Sequence, residues 1–499
     1  MQGDELKTKV ARGTAVNFIG VLAKILHPVF FIAMTRVYGP SVMGVYLLAN
    51  TVVELSISFT FSGFQVGVLM FASRHVHSEE ERGIVYRVMA NAVAIALGLT
   101  ALAIVLAYTA APPIFAAKFQ REGLTEAVQI MALALPFLAL PQIIVAGTKS
   151  LMIMKWDVIL LGGLRPGLLL VFSVVMFFFD PSVTGLAWAF LGSNVVVTAV
   201  ALWVFTRHFV FSHLLAEFRP LRFHRPLITY AIPQSLNQTL IFFTAGVSVL
   251  MLGTWEVSKA TIAFFATGAE MVRQIKQARI AFSRAFMPVI SRLHQEKRID
   301  ELREQFSMVS RWVITVNIPL LLLVLSVKEP FLLLFHETYV WDSGFMYFLA
   351  ASTFLGGLLG LSANVVSMTG HSTMNMVNAL VVGTACFVLN WFMIPLWGLH
   401  GAALATALAA TTNLLLTTTE IWVLYRIVLR PGAVAKPLLA GAAGVVAYVL
   451  AAHAPLDGIL LNVLKAVASL GAYLGVLFVL GVEAQDREIL RNMVSRKRA

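Results

Sequence analysis

The stretch from Val88 to Ala110 reads VMANAVAIALGLTALAIVLAYTA and contains no charged side chain. A helix needs about 20 mostly apolar residues to cross the hydrocarbon core of a bilayer. A membrane-spanning β-strand is only about 10 residues long and alternates between apolar and polar side chains. Because the stretch has the length and the uniform hydrophobicity of a spanning helix, it predicts one.

Similar apolar stretches recur along the whole chain. Fourteen of them have helical length, with approximate limits 14–34, 44–71, 88–110, 127–148, 157–179, 183–206, 227–252, 259–283, 311–335, 342–368, 373–395, 400–425, 436–453 and 459–482. The sequence therefore predicts an all-α polytopic membrane protein with about 14 transmembrane helices.

The composition excludes a soluble enzyme. Hydrophobic residues make up 59% of the 499 residues and charged residues 12%, whereas a soluble domain has roughly 25% charged residues. The mean hydropathy of +0.83 agrees with this. Cys386 is the single cysteine, so no internal disulfide and no cysteine-based metal site can form. We predict neither a metal nor a cofactor.

Lysine and arginine are concentrated in alternate connections between the predicted spans. Of the 37 Lys and Arg residues, 25 lie in segments on one side of the membrane and five in segments on the other. Short loops rich in Lys and Arg remain in the cytoplasm, so the pattern predicts a multi-pass protein with both termini cytoplasmic. Membrane topology thus accounts for most of the basic residues behind the net charge of +12, and no nucleic-acid partner is predicted.

The first twelve spans show an internal duplication. An offset of 216 residues pairs Glu54 with Glu270 and aligns GLAWA, from Gly185, with GAALA, from Gly401. Parallel repeats of six spans predict two lobes around a central cavity. The predicted boundaries are an N-terminal lobe at 1–210, a cytoplasmic linker at 211–226, a C-terminal lobe at 227–430, and an appended helix pair with a basic tail at 431–499.

Several charged residues fall inside the predicted spans, where they are costly and usually functional. The candidate cavity cations are Lys24, Arg165, Arg273, Lys276 and Arg279, and the candidate coupling carboxylates are Glu54 and Glu270. Simpler interpretations remain open for three of these residues. Arg279 could extend to the interface, Glu270 could pair with Arg273 or Lys24, and Lys24 could pair with Glu54.

A polar face on the seventh span adds uncharged candidates. Gln234, Asn237 and Gln238 follow an i, i+3, i+4 spacing, and hydrogen bonding between helices is the simpler explanation for such a face. The cations suit a phosphate or a pyrophosphate, because Arg and Lys bind phosphate oxygens through charge-assisted hydrogen bonds. A cationic drug does not suit them.

Four sequence elements together resemble a known family. They are Asn17-Phe18-Ile19-Gly20, RVYGPSVMGVY from Arg36 to Tyr46, MPVISRL from Met287 to Leu293, and LNWFMIPLWGLHGAALAT from Leu389 to Thr406. In order and spacing they are similar to the Wzx-type lipid-linked oligosaccharide flippases, polysaccharide biosynthesis export proteins of the MATE-like MOP exporter superfamily.

The resemblance implies that an undecaprenyl-diphosphate-linked glycan is flipped by alternating access, with its pyrophosphate and glycan in the cationic cavity. Asn17 joins the polar cavity candidates. No bond is broken, so the resemblance implies a transporter without catalytic residues, in the bacterial cytoplasmic membrane. It also implies a monomer that works beside a polysaccharide polymerase and glycosyltransferases.

Three alternatives remain open from the sequence. The extra helix pair resembles the fourteen-helix lipid II flippases. A cation-coupled multidrug or small-solute antiporter of the same superfamily would depend on Glu54 or Glu270. A membrane scaffold or glycosyltransferase subunit without transport activity belongs to a different class, and accumulation of lipid-linked sugar in deletion cells would exclude it.

Overall fold

The computed structural model describes residues 26–75, 82–119, 121–151, 153–218, 223–255, 257–336 and 343–481. In these ranges the regular elements are all helical. The chain divides into two compact units, Met1–Ala266 and Thr267–Ala499.

The first unit contains most of the helices of the N-terminal half. They are α1 (Leu26–Tyr38), α2 (Pro40–Ile57), α3 (Gly63–His75), α4 (Arg82–Thr109), α5 (Ala111–Lys118), α6 (Leu124–Leu133), α7 (Leu135–Ser150), α8 (Arg165–Phe177), α9 (Val183–His208), α10 (Phe211–Ala216) and α11 (Arg225–Thr254). Two π-helical segments, Ser58–Ser62 and Asp157–Leu164, precede α3 and α8 directly.

The second unit begins within α12 (Lys259–Gln295). It continues through α13 (Ile299–Phe335), α14 (Phe345–Leu359), α15 (Ser362–Met368), α16 (Ser372–Tyr425), α17 (Pro431–Ala452) and α18 (Gly458–Leu480). A buried core of Phe286, Ile290, Leu302 and Phe306 joins the end of α12 to the start of α13.

Long apolar helices confirm a multi-pass membrane protein. Within the described residues, ten helices are long and apolar enough to cross a membrane, or eleven if α14 and α15, bent by 48°, form one span. The number fourteen stays a prediction. Most of the predicted span 14–34 lies outside the described residues, and the charges of α12 distinguish it from an apolar span. Gly398, with φ 52° and ψ −124°, interrupts α16 between the predicted spans 373–395 and 400–425.

A glycine allows α11 to pack tightly against the start of α3. A Cβ atom on Gly63 would lie 2.1 Å from the carbonyl oxygen of Ala231 and 2.5 Å from the Ser235 hydroxyl. The Gly63 N–H donates to that hydroxyl at 3.0 Å. The helix that the sequence assigns to the second lobe therefore packs within the first compact unit, and the predicted lobe boundaries stay a prediction.

Residues 284–310, between the predicted spans 259–283 and 311–335, are mostly helical. Helix α12 extends twelve residues beyond the predicted end of its span, to Gln295, and α13 begins at Ile299. Lys297 adopts a left-handed conformation, with φ 58°. Arg298 forms ion pairs with Glu296 and Glu301 at 2.7 and 2.6 Å. A tight turn with local ion pairs thus connects α12 to α13.

The appended pair, α17 and α18, packs on itself and on α13. The Tyr473 hydroxyl donates to the carbonyl of Thr315 at 2.8 Å. Lys465 is buried, with its Nζ 6.0 Å from the centre of the Tyr448 ring. The pair is therefore bound to the second unit by polar contacts as well as apolar ones.

Candidate functional site

One face of α2 carries three polar side chains at intervals of four residues: Tyr46, Asn50 and Glu54. Residues four apart in a helix lie on the same face. The Asn50 amide donates to Glu54 Oε1 at 3.2 Å. Tyr46 is fully buried, whereas Glu54 and Asn50 are half-buried. The hydrogen bond fixes the carboxylate on this face.

Arg165 brings a positive charge to the same face. It is the first residue of α8 and directly follows the π-helical segment Asp157–Leu164, a type of distortion frequent at functional sites. Arg165 interacts electrostatically with Glu54 and Tyr46. The residue is half-buried as a whole, and its guanidinium forms neither an ion pair nor a hydrogen bond with another residue in the part of the chain that the structure describes. The carboxylate partly compensates the cation, and the guanidinium N–H groups have no acceptor among the described residues.

The two carboxylates that the duplication aligns have different surroundings. Glu270 Oε2 lies 3.0 Å from Arg273 Nη1 in an i, i+3 ion pair, and 49% of the Arg273 side chain is exposed. The pair between Glu270 and Arg273 is therefore formed, and the coupling role of Glu270 stays a prediction. Glu54 instead interacts with an amide on its own helix and with an arginine on α8.

Arg279 binds backbone and does not extend freely to the interface. Its Nη1 donates to the carbonyl of Gly360 at 2.9 Å. Gly360 lies at the break between α14 and α15. The last carbonyls of a helix lack partners within the helix, and a cation is favourable beside them. Arg279 therefore stabilises the bent helix pair, which gives this predicted cavity cation a structural contact.

The structure describes the remaining candidate site residues only in part. Lys24 and Asn17 lie outside the described residues, and of Lys276 only the backbone, within α12, is described. Gln234, Asn237 and Gln238 are half-buried and form no hydrogen bond with another described residue. The hydrogen bond that joins α11 to α3 involves Ser235 instead, whose hydroxyl accepts from the Gly63 N–H.

Sequence reasoning missed the partners of Glu54 and a third intramembrane carboxylate. The i, i+4, i+8 spacing of Tyr46, Asn50 and Glu54 was the available signal for the first. Glu420 falls within the predicted span 400–425, where a carboxylate is already exceptional. The Asn378 amide donates to Glu420 Oε2 at 2.9 Å.

A histidine caps α11 at the edge of the first unit. The Leu227 backbone N–H donates to His224 Nδ1 at 3.2 Å, and the His224 backbone N–H donates to Asn91 Oδ1 at 3.0 Å. Burial, and then the positive charges of His75 and Arg87, lower the pKa of His224 below its ordinary value. The capping bond requires an unprotonated Nδ1, so the neutral imidazole is the form that fits.

Comparisons with known proteins agree with this architecture. The profile of the polysaccharide biosynthesis protein family matches residues 10–294, more than half of the chain. No curated protein sequence gives a significant match. The lipid II flippase MurJ in an inward closed conformation is similar in structure, with a TM-score of 0.73 and 12% identity over 94% of this chain and 98% of that one.

Two multidrug transporters share the fold as well. An inward-facing MATE family transporter of the MOP superfamily has a TM-score of 0.64 and 13% identity, over 82% of this chain and 99% of that one. The MATE multidrug transporter DinF-BH has a TM-score of 0.61 and 16% identity, over 85% of this chain and 96% of that one. At these identities the likeness shows the fold alone.

Proposed function

Because the chain belongs to the polysaccharide biosynthesis protein family, we propose that it flips a polyprenyl-diphosphate-linked oligosaccharide across the bacterial cytoplasmic membrane. The protein works by alternating access, as a monomer with both termini in the cytoplasm. The substrate crosses intact and no bond is broken, so the residues of the site bind and release it without catalysing a reaction. A polysaccharide polymerase and glycosyltransferases are the expected partners.

The observation that carries this proposal is the guanidinium of Arg165, for which the described residues provide no hydrogen-bond acceptor. An arginine at the membrane level needs an anionic or polar partner, and Glu54 supplies only an electrostatic interaction without a hydrogen bond. A pyrophosphate would accept the free N–H groups in charge-assisted bonds. Asn50 orients the Glu54 carboxylate, and the negative charge of this carboxylate weakens anion binding at Arg165 enough for release.

The remaining candidates fit the rest of such a substrate. Arg273 is half exposed despite its ion pair with Glu270, so it can exchange that partner for a phosphate. Lys24, in the first predicted span, and Lys276, in the same span as Arg273, add further cations. The amides of Asn17, Gln234, Asn237 and Gln238 can donate to and accept from sugar hydroxyls.

Complementation of deletion cells tests the role of Arg165. Cells producing Arg165→Gln should lose surface polysaccharide and accumulate the lipid-linked oligosaccharide, whereas Arg165→Lys should retain part of the export. Loss of one charge-assisted hydrogen bond, about 1.5–3 kcal/mol, predicts a decrease in export of at least ~tenfold. Export is measured as surface polysaccharide per molecule of membrane-inserted protein.

The control is Lys118→Gln, which removes a positive charge from an exposed side chain without a partner among the described residues. It should export normally. Normal export by Arg165→Gln would contradict the proposed binding role. Unchanged surface polysaccharide on deletion, together with increased sensitivity to cationic drugs, would favour an antiporter instead.

A further inference from the structure

A pair of tryptophans at one end of the first unit holds two cations. The rings of Trp156 and Trp203 meet edge to face, with centroids 6.0 Å apart and planes at 88°. Lys155 Nζ lies 4.9 Å from the centre of the Trp156 ring, and Arg207 Cζ lies 5.1 Å from that of Trp203. The Trp156 N–H donates to His208 Nε2 at 2.9 Å. The tryptophan pair is thereby fixed, with a cation on each ring.

Both cations keep their hydrogen-bond donors. Lys155 and Arg207 are exposed, and within the described ranges neither forms an ion pair or a hydrogen bond. The neighbouring Lys149 differs, because its Nζ lies 2.9 Å from Asp157 Oδ2. The carboxylate that is close in sequence is thus used by another lysine, and the cluster keeps two positive charges.

The surroundings of this cluster are typical of the membrane surface. Trp203 is 49% exposed near the end of α9, and tryptophan is enriched at the level of the lipid headgroups. The short helix α10, which follows, exposes Phe211 and Leu215. Exposed apolar side chains beside exposed cations are typical of a segment that lies in the membrane interface.

We propose that Lys155, Arg207 and the Trp156–Trp203 pair bind the phosphate of an anionic phospholipid headgroup, in the leaflet predicted to face the cytoplasm. Two cations held on neighbouring rings match a lipid with a net negative charge. A zwitterionic lipid carries its own cation and is a weaker ligand. Since the cluster lies outside the candidate transport site, this inference does not depend on the proposed function.

Fluorescence quenching in nanodiscs tests the site with the full-length protein. The discs contain phosphatidylcholine and a rising fraction of brominated phosphatidylglycerol or brominated phosphatidylcholine. We expect the phosphatidylglycerol to quench tryptophan at the lower fraction. Each of Lys155→Gln and Arg207→Gln should reduce this preference ~fivefold, since a cation near an anionic surface contributes about that factor. Trp203→Phe should remove the quenching component that prefers phosphatidylglycerol, which would identify Trp203 as its source.

The charge-matched control is again Lys118→Gln, which should keep the full preference. Arg207→Lys should also keep it, because the charge remains. Equal quenching by the two brominated lipids would overturn the proposal, as would an equal loss in Lys118→Gln, which would indicate bulk surface charge. Inorganic phosphate at millimolar concentration should leave the preference unchanged, and its abolition by phosphate would assign the site to a free anion instead.

Discussion

Replacement of Gly63 by alanine tests the close packing between α11 and the start of α3. The new Cβ would lie 2.1 Å from the Ala231 carbonyl oxygen and 2.5 Å from the Ser235 hydroxyl. The hydroxyl can rotate away, but the carbonyl moves only with α11. Overpacking costs about 1–3 kcal/mol, and a buried N–H that loses its acceptor costs about 1–3 kcal/mol. We expect the free energy of unfolding to fall by about 3 kcal/mol.

The melting temperature of the purified protein in detergent measures this change. For a unit of this size, each kcal/mol shifts the Tm by about 2 °C, so Gly63→Ala should melt about 6 °C lower. Gly98→Ala, in the middle of α4, is the matched control because nothing lies within 4 Å of its added Cβ. Alanine favours a helix over glycine by about 0.5–1 kcal/mol, so the control should melt slightly higher.

A second variant separates the two contributions. Ser235→Ala removes only the hydroxyl that accepts from Gly63, so it should lose about 1 kcal/mol. The double variant should stay close to Gly63→Ala, because the clash with the backbone carbonyl persists. Equal melting temperatures for Gly63→Ala and Gly98→Ala would refute the close approach of the helices.

Two further predictions concern stability and pH. Because the native pKa of His224 is lowered, the native state binds fewer protons than the unfolded one, and stability should decline as the pH falls below about 6.5. His224→Asn keeps a capping acceptor without titrating, so its Tm should drop less between pH 8 and pH 5.5, and an equal drop would contradict this. Arg279→Gln should cost about 1.5–3 kcal/mol through the lost bond to Gly360, whereas Arg273→Gln should cost under ~1 kcal/mol because its pair is half exposed. Denaturation in detergent measures the free energy of unfolding of both variants. A larger loss in Arg273→Gln than in Arg279→Gln would contradict the contact between Arg279 and Gly360.

The arginines within the predicted spans differ in whether their contacts leave N–H donors and charge for a ligand. Arg279 donates a hydrogen bond to the Gly360 carbonyl at the break between α14 and α15, and Arg273 forms an ion pair with Glu270. No described residue accepts a hydrogen bond from the Arg165 guanidinium, and Glu54 offsets part of its charge. A transporter must bind an anion and then release it, and a partly compensated arginine suits that requirement better than an isolated one.

Hydrophobic length and charge distribution were sufficient to predict the fold class. A helix of about 20 apolar residues satisfies its backbone within itself, so each span can be identified without knowledge of its neighbours. The same local reasoning fixed the limits of the spans less well. The helices that contain the predicted spans 259–283 and 311–335 continue beyond these limits, pack through their apolar faces and turn at Lys297.

The sequence by itself determined that this protein is a polytopic helical membrane protein with rare intramembrane charges, because hydrophobicity and charge are properties of single residues and short windows. It could not assign partners to those charges. That Glu54 lies within electrostatic reach of Arg165, and that Arg279 binds a carbonyl, depends on contacts between residues about 80 to 110 positions apart. Only the tertiary structure decided these pairs, because helix packing places side chains together irrespective of their distance along the chain.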